Sequence, residues 1–311
     1  MSETTMTYPN GQGGRKVNDN PRPNTWHRMP AYATIPTLNF GSDMPMEYQA
    51  MFDDCLHLWA SKLIRNQLKY RYYNGKNVLK DFGISIPPSL LTVETVVGWP
   101  QKAVDSMAVR CRFDGFKSQD ADAQRMLDAI SKRSRLNVKF RQTAESALIH
   151  SCAFATVSLD ADGKSRIDFY SAENASARWD DAAGRIAYGM TIDLYNDGVP
   201  VIVTLHATDV VIKAWDTGAG FWDWTYQPIA VGRPTMVSFA YRPTFRKPFG
   251  QSRITRAVMS ITDSAVREAL RTEISAEFFT SPQKYLLGAD RDAFAERTRW
   301  EAYVGNIFCC G

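Results

Sequence analysis

The feature that most constrains this 311-residue sequence is a helical stripe near its C-terminal end. From about Ser252 to Phe279, Ile254, Val258, Ile261, Ala265, Ala269, Ile274 and Phe278 recur at steps of three, four or five residues. That spacing lines apolar side chains along one face of a helix. Ser252 is the expected N-cap, and Asp263 and Arg267 stand four residues apart with the acid first, the favourable order. At 1.5 Å per residue the helix would be roughly 40 Å long. It is too long for a small globular core and carries charge on its remaining faces. A helix of this kind packs against copies of itself or bridges two domains.

Ahead of it the chain divides by composition. Residues 1–44, rich in Asn, Gly, Pro and Thr, read as a flexible arm, because they have too little apolar surface to offset the entropy of ordering. Their Arg15, Lys16, Arg22 and Arg28 outnumber Glu3 and Asp19. From Pro45, Met51, Leu56, Trp59, Leu63 and Leu68 give an amphipathic helix to about Tyr72, closed by Asn74-Gly75. Ile86-Pro87-Pro88 marks an extended connector. Trp99-Pro100 opens a second helix with Ala103, Val104, Met107 and Ala108 on its buried face. Two further helices follow, from about Ala121 to Ser131 and from about Asn137 to His150.

The middle of the chain changes period. Ala153–Leu159 and Arg166–Tyr170 alternate around an Asp160-Ala161-Asp162-Gly163 hairpin turn. Further strands are predicted at Ile186–Leu194, Val199–His206, Asp209–Ala214 and Trp222–Tyr226. Helices around an antiparallel sheet make the fold class α+β. The domain reading is an arm (1–44), an α+β domain (45–245), the long helix (250–280) and a further segment (281–311). The apolar run Gly305–Gly311 has no polar tail, and we read it as the start of a segment that continues.

An apolar share of 44% with 12% aromatics excludes a mostly disordered chain. A net charge of +4 is not that of a dedicated nucleic-acid binder. Cys55, Cys111, Cys152, Cys309 and Cys310 form no CxxC, and their odd number points to free thiols in a reducing compartment. The first thirty residues lack the apolar core of an export signal, and no run reaches membrane-spanning length, so the chain reads as soluble and cytosolic.

No motif carries catalysis, and no cofactor or metal is expected. Asp160–Gly163 lacks the later ligands of a calcium loop. Gly11–Lys16 lacks the spacing of a phosphate loop. His27, His57, His150 and His206 are scattered without a zinc pattern. His150 and Cys152 flank Ser151, but the expected role is packing at a helix end. The adjacent pairs Asp53-Asp54 and Asp180-Asp181 point apart. Residues 102–141 hold ten Lys and Arg against five Asp. We read them mainly as a solvated surface or one matched to an acidic neighbour, with phosphate contact as the alternative.

The order of motifs resembles the portal proteins of tailed phages, of the gp6-like type. The match begins at Arg65-Asn66 and passes through Tyr72-Tyr73-Asn74-Gly75, Gly83-Ile84 and Val96-Val97-Gly98-Trp99-Pro100. It continues with Ala103-Val104-Asp105 and Arg110–Phe116. A second block runs from Arg242-Pro243 and Pro248–Ile254 through Asp263, Arg271, Glu273 and Ala276-Glu277 to Ser281–Tyr285 and Gly288. The resemblance covers about 47–290. It implies a subunit of a twelve-fold ring at one capsid vertex, through which a terminase motor packages double-stranded DNA and to which the tail connects.

On that resemblance 45–245 would be the wing, the helix from Ser252 a stem helix, and Ser281 onward the beginning of a clip. A second stem helix, a tunnel-lining loop and a crown would lie beyond this sequence. Ile254, Arg256, Val258, Ile261, Arg267 and Arg271 become the expected stem contacts between subunits, and Pro282, Gln283 and Tyr285 the expected clip residues. Implied partners are further copies of the chain, the terminase large subunit, major capsid and scaffolding proteins, and head-completion or tail adaptor proteins. DNA would be touched weakly and without sequence preference, since a conduit that gripped phosphate tightly would stall. The implied location is the virion vertex, and the host cytoplasm during assembly. Two other readings compete: a different phage structural or adaptor protein with a wing-like domain, and a hydrolase or nuclease whose site is assembled from distant residues.

Overall fold

A computed structural model describes residues 35–41, 43–76, 95–159, 162–196, 199–280, 284–287 and 307–310. The connector at 86–88 and residues 1–34 lie outside them. Helix α1 (Met46–Tyr73) starts where the Pro45 carbonyl accepts from the Tyr48 and Gln49 amides, at 3.1 and 3.3 Å. It stops where the Asn74 amide turns back to Tyr70 O and Gly75 takes a φ of 66°. Helix α2 (Trp99–Ala108) has proline in its first turn, as its sequence predicts. In α3 (Ala121–Ser134), the Asp120 carboxylate accepts from the Asp122 amide at 2.9 Å. Arg135 alone (φ 51°, ψ 47°) ends α3 and begins α4 (Leu136–His150).

The strands form two antiparallel sheets where one was expected. β1 (Cys152–Leu159) is the centre of a three-stranded sheet between β2 (Ser165–Ser171) and β8 (Met236–Ala240). β3 (Ala175–Asp180), β4 (Arg185–Asn196), β5 (Val199–His206), β6 (Val210–Asp216) and β7 (Trp222–Pro228) form a five-stranded meander. The β1–β2 hairpin pairs Leu159 with Ser165, as the turn signal predicts. β3 and β8 are additions to the sequence reading. The class is α+β.

Alternation decides which face of the meander is dry. Met190, Ile192, Val203, Leu205, Ile212 and Ala214 are buried beneath Phe52, Leu56 and Trp59 of α1. Hiding each such large side chain contributes on the order of 1.5–3 kcal/mol. Phe40 and Met44 complete this core with Ile35 and Leu38 against it, and Trp222 N–H donates to Asn39 O at 2.8 Å. The folded part therefore begins by Ile35 rather than Pro45, because a few apolar residues within a polar stretch found a core.

A second cluster joins the sheets through Phe154, Ala177, Ile186 and Met236. Gly189 is needed there, since a Cβ would strike the Met236 sulfur and approach Ala177 Cβ to 3.1 Å. A third cluster gathers Tyr72, Val104, Leu148, Ile149 and Ile254 where α1, α2 and α4 meet the start of the last long helix.

That helix, α5 (Arg256–Thr280), begins four residues later than predicted. Thr255 caps it: its hydroxyl accepts from the Val258 amide at 3.3 Å and its carbonyl from Met259 at 3.0 Å. Ser252 instead donates to Ile149 O and accepts from the Ile254 amide, holding a bend ahead of the helix. β9 (Lys284–Leu287) pairs in parallel with β10 (Ile307–Cys310).

Candidate assembly surface

The residues that fix α5 to the body come from four separate parts of the sequence. Two adjacent tyrosines end α1. Tyr72 Oη donates to the Asp263 carboxylate at 2.7 Å, and Tyr73 Oη lies 2.9 Å from Asp105 and 3.0 Å from Glu145. Burial, and then hydrogen bonding to these carboxylates, push both phenols above their ordinary range. They remain neutral donors at any physiological pH.

Arg253, just before α5, is held on four sides. Its Nε donates to Ala103 O at 2.7 Å and its Nη1 to Tyr241 Oη at 2.9 Å. Its amide donates to Leu148 O at 2.9 Å, and its guanidinium lies 5.8 Å from the Tyr241 ring centre. Gly250 (φ 75°) lets this bend pass so close to Tyr241 that a Cβ would run into its carbonyl oxygen. The first half of α5 is thus anchored, with Thr262 and Val266 buried. Farther along, Thr95 Oγ1 meets Glu273 at 3.2 Å.

The expected stem residues divide. Ile254 lies outside α5 and is 1% exposed in the core of this subunit, so it has no surface to offer a neighbour. Its spacing fits the stripe only because the bend before α5 continues the helical step by chance. Arg256 and Arg271 are exposed, and Val258 and Arg267 half-buried. Ile261 is 58% exposed, roughly a third of a turn around α5 from the buried Thr262 and Val266. The Asp263–Arg267 pairing takes a different form: Arg267 Nε donates to the Asp263 carbonyl at 3.1 Å, while the Asp263 carboxylate takes the Tyr72 bond. Arg271 Nη1 reaches Glu268 at 2.6 Å. Tyr285 stands in β9, and Pro282 and Gln283 lie outside the described residues.

The chemistry weighed in the sequence is arranged for packing. Burial pulls the His150 imidazole down to about 4, with Lys69 adding to the effect, and pushes the Cys152 thiol up to about 11. A nucleophile and its base need the reverse shifts. Lys69 Nζ donates to the His150 carbonyl at 3.0 Å and, being buried, is itself pulled down to about 8. Asp54 pairs with Arg178 and Tyr188, while Asp53 turns to solvent. Among the described residues no three His, Cys, Asp or Glu converge as a metal site, and no helix is long and apolar enough to cross a membrane.

Among the described residues, two clefts stand out. One, of about 370 Å³, runs between α1 and the 245–249 loop, with Lys62, Arg65, Arg178 and Arg246 on its walls. The other, of about 690 Å³, separates the sheets and is lined by Thr191, Asp193, Thr204, His206 and Asp168. His206 Nδ1 is 2.9 Å from Thr235 Oγ1, and burial pulls the ring down to about 4.

Comparison with known proteins bears on this arrangement. Residues 53–203 match the family model described as phage portal protein, SPP1 Gp6-like. The chain is also similar to the portal protein of Mycobacterium phage L5, with 24% identity over 251 residues, covering 76% of this chain and 52% of the relative. The portal protein of Mycobacterium phage D29 matches at the same identity and coverage. The chain spans about half the length of these curated relatives.

Proposed function

We propose, from the match of residues 53–203 to the SPP1 Gp6-like phage portal proteins and the similarity to two curated portal proteins, that this chain is the wing and stem part of a portal subunit. In this reading copies close into a twelve-fold ring at one capsid vertex. Double-stranded DNA enters through the ring under the terminase large subunit and later leaves through it. The role is structural rather than enzymatic. Residues 45–245 would form the wing, the long helix within 250–280 a stem helix, and 281 onward the start of the clip, where head-completion or tail adaptor proteins would attach. Major capsid and scaffolding proteins would hold the wing in the shell, and the site of action is the virion vertex after assembly in the host cytoplasm.

The observation that carries the reading is one of order and anchoring. The stretch matching the family, 53–203, is followed by a 25-residue helix that is fixed at its start and leaves Arg256, Ile261 and Arg271 open on its outer side. A ring built from one repeated contact needs such a stave, because each copy must offer two different surfaces to its two neighbours. Mixed charge along α5, with Arg267 and Arg271 beside Asp263, Glu268 and Glu273, suits sequence-blind contact with a sliding polyanion.

The test is negative-stain electron microscopy of the full-length gene product, with mass measured in solution across a concentration series. Rings with a central hole are the expected result. Monomers that persist at high concentration in a folded sample would overturn the proposal.

A further inference from the structure

Charge is distributed along α1 in two blocks. Residues 43–61 hold Asp43, Glu47, Asp53 and Asp54 and no Lys or Arg, whereas 62–76 hold Lys62, Arg65, Lys69, Arg71 and Lys76 and no acid. That order complements the helix dipole and by itself says only that α1 is a good helix. The exposed side chains near each end mostly repeat the sign, although Asp263, Asp105 and Glu145 accept from Tyr72 and Tyr73 at the second.

At the N-terminal end lies the β7 edge of the meander. Asp209, Asp216 and Asp223 stand exposed along the β6–β7 hairpin, with Glu47 beside them. The segment leading into α1 crosses this hairpin, bound to it at one end by Asn39 O and at the other by Tyr48 Oη on Asp209 at 2.7 Å. Three large apolar side chains stand open among these acids: Met46 at 85%, Phe221 at 56% and Tyr226 at 65% exposure.

At the other end of α1, a 28-residue helix roughly 42 Å long, lies the outer face of α2. Trp99, Lys102, Ser106 and Val109 recur at helical spacing on it, opposite the buried Val104 and Ala108. Arg110 and Arg112 continue it, and all of the cations named on this face are exposed. Trp99 (53%) and Val109 (51%) are its open apolar centre. Each end is thus an apolar patch among side chains mainly of one charge sign, with exposed Lys213 the exception at the first and Asp114 at the second. This is the anatomy of a protein–protein contact surface, and the two are opposite in net sign.

Resting on the portal reading above, we propose that a second copy of this chain is the partner for both surfaces. The basic outer face of α2 in one copy docks on the acidic β7 edge of the next. Trp99 and Val109 meet Phe221 and Tyr226, and Lys102, Arg110 and Arg112 meet Glu47, Asp216 and Asp223. A face that matches itself would give a closed pair. Two different faces that match each other give the head-to-tail contact a ring requires, and complementary charge fixes its direction.

The experiment uses the full chain and two charge-reversal variants. Glu47→Lys with Asp216→Lys and Asp223→Lys makes both ends basic, and Lys102→Glu with Arg110→Glu makes both ends acidic. Alone, each is expected to need a concentration at least about ten-fold higher than the unmodified chain for half-assembly, read by mass photometry, because like charges then face each other. Mixed in equal amounts they are expected to assemble within about three-fold of the unmodified chain, since alternating copies restore opposite signs at every contact. Misfolded variants could not rescue one another in this way. Variants that assemble alone like the unmodified chain, or a mixture that stays dissociated, would overturn the docking while leaving the portal reading intact. Folded monomers of the unmodified chain at every concentration would likewise overturn the docking, whereas the portal reading falls only if the full-length product forms no rings.

Discussion

The region beneath the first half of α1 and the region around its end are held by different forces. Under Phe52, Leu56 and Trp59 the contacts are almost wholly apolar, against the alternating face of a five-stranded sheet. Around Tyr72 and Tyr73 a smaller apolar cluster is enclosed by directed bonds to Asp263, Asp105 and Glu145, and by the four contacts of Arg253. Apolar burial supplies free energy with little regard to angle, whereas hydrogen bonds between distant segments specify angle for a modest net gain. The first region makes the body stable. The second sets where α5 points.

Acid should weaken both regions together, and it is the largest effect we expect. His150 and His206 are each pulled from the usual imidazole range to about 4 by burial. Below about pH 6.5 the unfolded chain binds protons that the folded chain refuses, so stability falls as pH drops from there toward 4. The loss is on the order of 3 kcal/mol for each ring, measurable as a falling midpoint in denaturant titrations at stepped pH. A flat profile across that window would show that both rings are hydrated in the folded chain.

Trp59→Ala breaks the apolar region alone. It removes a side chain 1% exposed and its indole bond to Glu173 O at 2.6 Å, for an expected loss of about 3–5 kcal/mol in the same titration. Gly250→Ala strikes the other region: a left-handed φ and a collision with Tyr241 O cost about 1–3 kcal/mol. Amide exchange should rise at the start of α5 before it rises in the meander. Tyr72→Phe sharpens the contrast. It should cost only about 1–2 kcal/mol yet loosen α5, seen as faster exchange confined to residues 256–266. Arg178→Ala is the smallest change, about 0.5 kcal/mol, because its pair with Asp54 is half in water.

The two regions also differ in how readable they are from sequence. The helices are legible because apolar spacing, Pro100 and Asn74-Gly75 are local signals, and the hairpins because Asp-Gly turns are. β3 escapes because Ala175-Ser176-Ala177 offers small side chains rather than branched ones, and β8 because it is only five residues long. The division into two sheets depends on β1 pairing with β8 across some eighty residues, which no local pattern carries. The start of α5 is misread because Ile254 continues the helical step while its backbone has left the helix. Tyr72 and Asp263 were each visible as motif residues, but 191 positions separate them and nothing in their types announces the bond. Phe40 and Met44 show that composition sets an average and single anchors override it.

Arg135 bears on how sequences of this kind can change in length. One residue with left-handed dihedrals is the whole of the corner between α3 and α4. No spare backbone exists there to absorb an inserted or deleted residue. A single-codon insertion ahead of it would turn every later side chain of α3 by about 100° against its neighbours. Natural variants should therefore gain or lose residues at turns such as 217–221, where chain length is open, and keep this corner intact.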